Sequence, residues 1–483
     1  MLYREPLLGP TEAGIVRYTS SMEEDKLIAC EVLEVLESHV VELKQAGFIP
    51  GSPADRILVE LEKLKGDPGK LFNYNVEDIH EAIEVYLREK LGDEAGYLAL
   101  GRSRNDHVAT ALRLKIARLL VAEMIEILRF RRALLAKASK HVETPLPLYT
   151  HMRPAQLSTV AHYLLYVDEL LATYLDVLQA VLGVVLRSPQ GSGPVAGVMT
   201  PLDRRRVASR FFNGNLVYNT LYATTSRDFM LLALSVNVSM LVSLSRFIED
   251  LIVLSTPQVG YFKLPRDHLA TSSIMPHKEN PVTLEVARAK AGELLGYFVA
   301  VASIVKGITS GYNLDLQEAN RHAIVALMEV LDTLAVLADL VEKLEVNTEA
   351  VERDLKSYPL ILTDLAELIA MKTGRPFREV HRELAGYVRS YGSVGELYEA
   401  VSRVYGVSLD VGEAIRRPVI GSPNPEYTRE YLEEAARSVD TLESKVLEYA
   451  SLLRSSCDNV LGRVIQTLGP KQGIPVAEVR ERI

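Results

Sequence analysis

"LSTVAHYLLYVDELLATYLDVLQAVLGVV", residues 157–185, places Leu157, Leu164, Leu171, Leu178 and Val185 at every seventh position, with Val160, Val167, Tyr174 and Val181 as a second stripe. That spacing keeps apolar side chains on one side of an α-helix and is the pattern of a long helix packed lengthwise against others. Similar patterns run over about 105–140, 229–255, 281–305 and 319–344, with no strand-like alternation between them that would build a parallel sheet. The sequence therefore predicts an all-α fold of long helices.

Breaks rich in proline and glycine mark the loops: "PLPLY" (145–149), "RSPQGSGPVAGVMTP" (187–201) and "RRPVIGSPNPEY" (416–427). A smaller helical unit is expected to begin near residue 350 with "VNTEAVERDLKSYPLILTDLAELI". With 483 residues the chain exceeds one ordinary core, so two or three domains are expected. The net charge of −9, with basic residues scattered, disfavours a nucleic-acid surface and leaves room for a local cationic pocket. Two cysteines, Cys30 and Cys457, are too few for a disulfide framework or a cysteine metal site and fit a reducing cytoplasm. The apolar run at 229–255 is interrupted by Ser235, Asn237, Ser239, Ser243, Ser245 and Arg246, so a helix buried on most sides is expected rather than a membrane span.

Three polar segments each open a helix. In "GRSRNDHVATALRLKIARLL" (101–120), Asn105 or Asp106 can cap a helix, which leaves Arg102 and Arg104 flanking Ser103 where free N–H groups favour an anion. In "YTHMRPAQLSTVAHYLL" (149–165), Pro154 suits a first helical turn, with Thr150 and His151 just before it. A lone histidine at a helix start is more often a structural donor than a catalyst. In "TSSIMPHKENPVTLEVARAKAGELLG" (271–296), Asn280 caps, Pro281 opens the helix and Glu285 lies about one turn in. Capping leaves Ser272, Ser273 and Lys278 unexplained, and a loop of backbone N–H groups, hydroxyls and a lysine can hold a carboxylate and the charge that develops on it. A fourth patch, "GYNLDLQEANRH" (311–322), reads either as a cap or as recognition groups on Tyr312, Gln317 and Arg321.

With these residues laid out, the chain resembles the fumarase/aspartase superfamily and, within it, the argininosuccinate lyase family. "SSIMPHKENP" is similar to the superfamily signature SSxMPxKxNP, which adenylosuccinate lyases share; "GRSRND", "THMRPAQ" and "YNLDLQE" are the argininosuccinate lyase features. "EDIHEAIEVYLREKLG", "SRDF" and "RFIEDLIVLST" follow in matching order. The resemblance implies elimination of fumarate from argininosuccinate to leave arginine, without a metal or organic cofactor, in the cytoplasm. It implies Ser272 as the base, Lys278 and Asn280 on the reacting carboxylate, and His151 as a second catalytic residue paired with Glu285. Arg104, Asn105, Thr150, Tyr312 and Gln317 match substrate-binding positions, as does Ser103, for which packing is an equal explanation. It further implies three helical domains, 1–104, 105–352 and 353–483, with central helices joined in a twenty-helix bundle of a homotetramer whose sites are each shared by three chains.

The chain departs from the family pattern at Ala99 and Leu100, where His-Thr is usual, at Arg153 for glutamine, at Thr271 for glycine and at Asn320 for lysine. These bear on substrate affinity and identity more than on reaction class. Two other readings stay open at this point: another succinyl-eliminating member such as an adenylosuccinate lyase, and a non-catalytic structural relative of the crystallin type. A simple helical scaffold would make the ordered motifs coincidence.

Overall fold

The computed structural model describes residues 5–468, so the outer ends of the expected first and third domains, 1–4 and 469–483, lie outside the described residues. The amino-terminal part contributes α1 (Ala29–Gln45), α2 (Gly51–Gly66) and α3 (Ile79–Leu91); α1 packs on α2 and on the central helix α4 (Arg104–Ser139). After α4 come a hairpin of β1 (Pro145–Thr150) and β2 (Arg153–Thr159), then α5 (Val160–Val185) and α6 (Asp228–Leu254). A two-pair ladder of β3 (Ala270–Thr271) and β4 (Glu279–Asn280) leads to α7 (Val282–Val305) and α8 (Asp315–Lys343). The expected mainly helical fold is present, with strands among the described residues only as short two-stranded pairs.

The heptad stripe explains the packing. Leu164, Leu171, Leu178, Val185, Val160 and Val167 are fully buried, and Tyr174 turns its hydroxyl to Ser239 and Ser243 on α6. α4 and α8 run parallel: Arg104 bonds Gln317 at their first turns, and Lys137 bonds the Leu344 carbonyl at their ends. α5 runs against α4, since Arg113 near the start of α4 meets the Val184 and Val185 carbonyls.

Three arginines of α4 are almost wholly enclosed. Arg118 bonds Glu31 and Glu34 of α1, Arg131 forms a two-pronged pair with Asp168 of α5, and Arg113 lies over the Phe229 ring. Enclosed charges of this kind persist only when paired and hydrogen-bonded, and they fix register because losing one partner strands the other.

Four expectations are corrected. Ser103, not Asn105 or Asp106, caps α4; Asp106 stands three residues on and bonds back to the Ser103 N–H as a capping box. Pro154 is in β2 rather than a helical turn, and α5 starts at Val160 behind the cap Thr159. Asn280 pairs with Ala270 in the ladder, so the residue before α7 is Pro281. Cys30 and Cys457 form a disulfide across a sequence separation of 427 residues, because α1 and the last helix, α14 (Val460–Thr467), both pack on α4. Such bonds are rare in the cytosol of mesophiles but persist in intracellular proteins of hyperthermophilic archaea.

Between α8 and α14, α9 (Thr348–Ser357), α10 (Leu362–Thr373), α11 (Phe377–Ser390) and α12 (Val394–Tyr405) enclose a second apolar cluster, around Leu365, Ile369, Val380 and Val401. α13 (Pro425–Leu452) returns along α4. α6 is long and apolar enough to cross a membrane by length and composition, but it lies in the bundle against α5 and α7, with 44% of its most apolar window buried within one chain. That is less than the burial expected, and Leu232 and Val242 face outward.

Glu123, enclosed between α4 and α6, has no cation beside it; Asn237 Nδ2 donates to its Oε2 at 3.0 Å. Burial pushes this carboxyl up to about 8, so at neutral pH the folded chain holds a proton that the unfolded chain releases. The native state is therefore penalised increasingly from about pH 4.5 up to about 8. Glu123→Gln keeps the shape and the bond and is expected to raise unfolding free energy by roughly 2–4 kcal/mol at pH 8. Denaturant titrations should show the gain vanishing near pH 4; an equal gain at both pH values would contradict the assignment.

Candidate active site

The residues singled out from the sequence fall into two groups at opposite ends of the bundle. The first lies where α4 and α8 begin. Ser103 Oγ accepts from the Asn105 N–H, and Asn105 Nδ2 donates to the Pro194 carbonyl at 3.1 Å. Arg104 stretches between two elements, with Nη1 2.8 Å from Asp78 Oδ2 and Nη2 donating to Gln317 Oε1 at 2.7 Å. Gln317 in turn donates to the Thr19 carbonyl. Burial pushes the Tyr312 phenol upward, against the pull of Arg104 and Arg227.

This end holds groups that sequence reading missed. Ser21 donates to Asp25 Oδ2, which also accepts from the Ile79 N–H; burial raises the Asp25 carboxyl to about 6 despite those bonds. Asp78 caps α3 and pairs with Arg104. Arg227, within the quoted "SRDF", is 3% exposed with Nε and Nη2 unpartnered among the described residues, and burial brings it down to about 10. The end thus offers acidic and guanidinium groups together, a combination suited to a zwitterion. Ser21 and Asp25, one helical turn apart, were the available signal.

Behind Gly101–Arg104 lie three buried histidines, His39, His80 and His107. Burial is the main cause holding all three low, His39 at about 4 and His80 at about 3, with Arg102 adding to it, so this wall is neutral. Asp106 ties the segment to the 187–201 loop: its Oδ1 accepts from the Ser103 N–H and its Oδ2 from the Gly191 and Gly193 N–H groups. Gly191 and Gly193 hold φ of +79° and +63°, and a Cβ on Gly193 would lie 2.5 Å from Val198 Cγ1. The loop can present those N–H groups only with glycine.

The second group lies beyond the far end of α4. The β1–β2 turn sets His151 at φ 51° and Met152 at φ 58°, the left-handed pair of a two-residue hairpin turn. Neither is glycine, so each costs about 1–2 kcal/mol of strain. Thr150 and His151 are exposed at this tip.

Ser272 opens the loop between β3 and β4, and its Oγ accepts from the Ile274 and Met275 N–H groups at 3.3 and 3.2 Å. Two backbone donors on one hydroxyl oxygen favour its alkoxide form. Lys278 is exposed in the same loop, Asn280 is in β4, and Glu285 is exposed in the first turn of α7. Among the described residues, the side chains of His151, Lys278 and Glu285 have no hydrogen-bond or ion-pair partner in the same chain. Thr271, replacing the family's glycine, forms a ladder pair with Glu279 and needs no glycine-like conformation.

Within one chain the groups do not meet. α4 has 36 residues and α8 has 29, about 54 and 43 Å of helix at 1.5 Å per residue. Arg104, Asn105, Tyr312 and Gln317 stand at one end of this length, and the Ser272 loop with Asn280 and the Thr150–His151 turn at the other.

The lyase family profile matches residues 13–296. The argininosuccinate lyase of Pyrococcus furiosus is 47% identical over 447 residues, 92% of this chain and 97% of that protein. The chain belongs to the argininosuccinate lyase family. The argininosuccinate lyase of Pyrobaculum arsenaticum, at 44% identity over 86% of this chain and 93% of that protein, places it in the same family. Among solved structures, an EDDS lyase variant with bound fumarate is similar at TM-score 0.78 and 24% identity, covering 92% of this chain and 93% of that one. A class II fumarase from Schistosoma mansoni is similar at TM-score 0.61 and 18% identity, over 74% and 87% of the two chains. Both likenesses concern the fold.

Asp106→Ala would leave the Ser103, Gly191 and Gly193 N–H groups without their acceptor. The expected loss is about 2–4 kcal/mol in denaturant unfolding, with faster amide exchange in 187–201; a loss under about 0.5 kcal/mol would contradict this role of Asp106.

Proposed function

We propose that the chain cleaves argininosuccinate to fumarate and arginine, the elimination that completes arginine biosynthesis, as a cytoplasmic homotetramer. The observation that carries the reading is the Ser272 hydroxyl oxygen held by two backbone N–H groups in a loop that also bears Lys278, with Asn280 on the strand that closes it.

Ser272, as an alkoxide, takes the proton from the succinyl carbon next to the one bearing nitrogen. The charge spreads into the neighbouring carboxylate, where loop N–H groups, Lys278 and Asn280 stabilise it. The carbon–nitrogen bond then breaks, its electron pair leaving with the guanidine nitrogen. His151, oriented by Glu285, supplies the proton that makes arginine a good leaving group. Arg104, Asn105, Thr150, Tyr312 and Gln317, with Ser103 beside them, hold the substrate. The geometry adds Asp25 and Asp78 as carboxylates suited to an α-ammonium group.

The separation of the two groups supports a site shared between chains. So do the outward apolar residues on the bundle helices, including Tyr166, Val177, Leu232, Val242, Val286 and Leu295. A bundle of four chains, its helices packed in opposite directions, would bury that surface and bring one chain's Ser272 loop to another's Arg104 end.

Fumarate release, followed by ultraviolet absorbance, tests the proposal. Argininosuccinate should be turned over by the wild type, and Ser272→Ala should lower kcat by about 10²–10⁴-fold without unfolding the chain. Turnover of adenylosuccinate alone would move the chemistry to another substrate, and silence with both from a folded oligomer would overturn the reading.

A further inference from the structure

The ladder closing the Ser272 loop has only two residue pairs, Ala270 with Asn280 and Thr271 with Glu279. Two pairs are a weak base for an exposed loop whose first residue must stand accurately. Directly below the ladder is His268, which is 5% exposed. Its Nε2 lies 2.8 Å from Asp339 Oδ2 on α8, and its Nδ1 lies 3.1 Å from Thr283 Oγ1 in the first turn of α7. Thr283 Oγ1 also donates to the His268 carbonyl oxygen at 3.2 Å. The residue thus joins the strand entering the loop to the helix leaving it, and both to α8.

The Asp339 carboxylate can only accept, so Nε2 carries a hydrogen and donates to it, while Nδ1 and the Thr283 hydroxyl pair with each other. Charged neighbours extend the cluster. Asp267 and Asp339 bring two negative charges, and Lys343 Nζ, 2.5 Å from Asp267 and 2.7 Å from Asp339, brings one positive charge. Arg129, 3.8 Å from Asp339, is also engaged by Glu126 and Glu342.

The ligand-type atoms of Asp267, His268 and Asp339 lie within 4.8 Å of one another, a spacing a metal ion would accept. Lys343 already bonds both carboxylates, so the group is complete as an ion-pair cluster.

We propose that His268 is a positioning residue that clamps the base of the Ser272 loop to α7 and α8. It touches no substrate; it fixes where Ser272 Oγ stands when the proton is taken. The kinetic part rests on the lyase reading, whereas the clamp does not.

The experiment combines steady-state kinetics on argininosuccinate with hydrogen–deuterium exchange of the intact oligomer for His268→Phe, His268→Asn, Thr283→Val and Asp339→Asn. His268→Phe is expected to lower kcat about 10–100-fold with KM changed less than about threefold. Exchange should quicken across 270–281 while α4 and α6 exchange as in the wild type. Thr283→Val and Asp339→Asn should shift the same way, and His268→Asn, which can still donate to Thr283, should recover part of the loss.

Wild-type exchange in 270–281 for both His268→Phe and Asp339→Asn would overturn the clamp. A uniform loss of protection along the whole chain would do so as well, by making His268 a general stability residue. If the wild type does not cleave argininosuccinate, the function reading fails and the exchange measurements still decide the clamp.

Discussion

One helix, Arg104–Ser139, sets the terms for everything else. It is buried on nearly every side, and Arg113, Arg118 and Arg131 lock its register through carbonyls, carboxylates and an aromatic face. A helix held this firmly cannot bend to bring its ends together. Whatever stands at its first turn is some 50 Å from whatever follows its last, so the chain's two sets of chemical groups stay apart. Chemistry that needs both requires more than one chain.

The two ends differ in how far each is already committed. At the Arg104 end the polar groups have partners within the chain: Arg104 with Asp78 and Gln317, Ser21 with Asp25, and Asp106 with three N–H groups. This end is preorganised, and among the described residues Arg227, His80 and His107 are buried there with side-chain nitrogens left unpartnered. At the other end His151, Lys278 and Glu285 face solvent, and the local structure is a strained turn and a short ladder. Ser272 is held from behind by backbone N–H groups and His268 stands under the ladder, while the front of the loop is exposed in the single chain.

The long helices were legible because a seven-residue apolar repeat has few other solutions, and the Leu164–Leu171–Leu178 stripe is buried as read. Caps were less legible, since serine, asparagine and aspartate all suit the position; Ser103 won because Asp106 could answer it in a capping box and also hold the glycine loop. The hairpin at 145–159 was hidden because Pro154 suits a helix start as well as an edge strand. Asp25, Asp78 and Arg227 were not legible as a group, because their relation arises only when three elements pack against the start of α4. The Cys30–Cys457 bond was missed for the same reason, its partners being at opposite ends of the sequence.

In the proposed shared site, one chain supplies the Ser272 loop and another the Arg104 end. The direct measurement uses two variants, Ser272→Ala and Arg104→Gln, each inactive alone, and assays fumarate release after co-expression and purification of oligomers containing both. A shared site should give activity in the mixed oligomers, because some sites then draw an intact loop from one variant and an intact Arg104 end from the other. Mixed oligomers as inactive as their parents would contradict a site shared between chains.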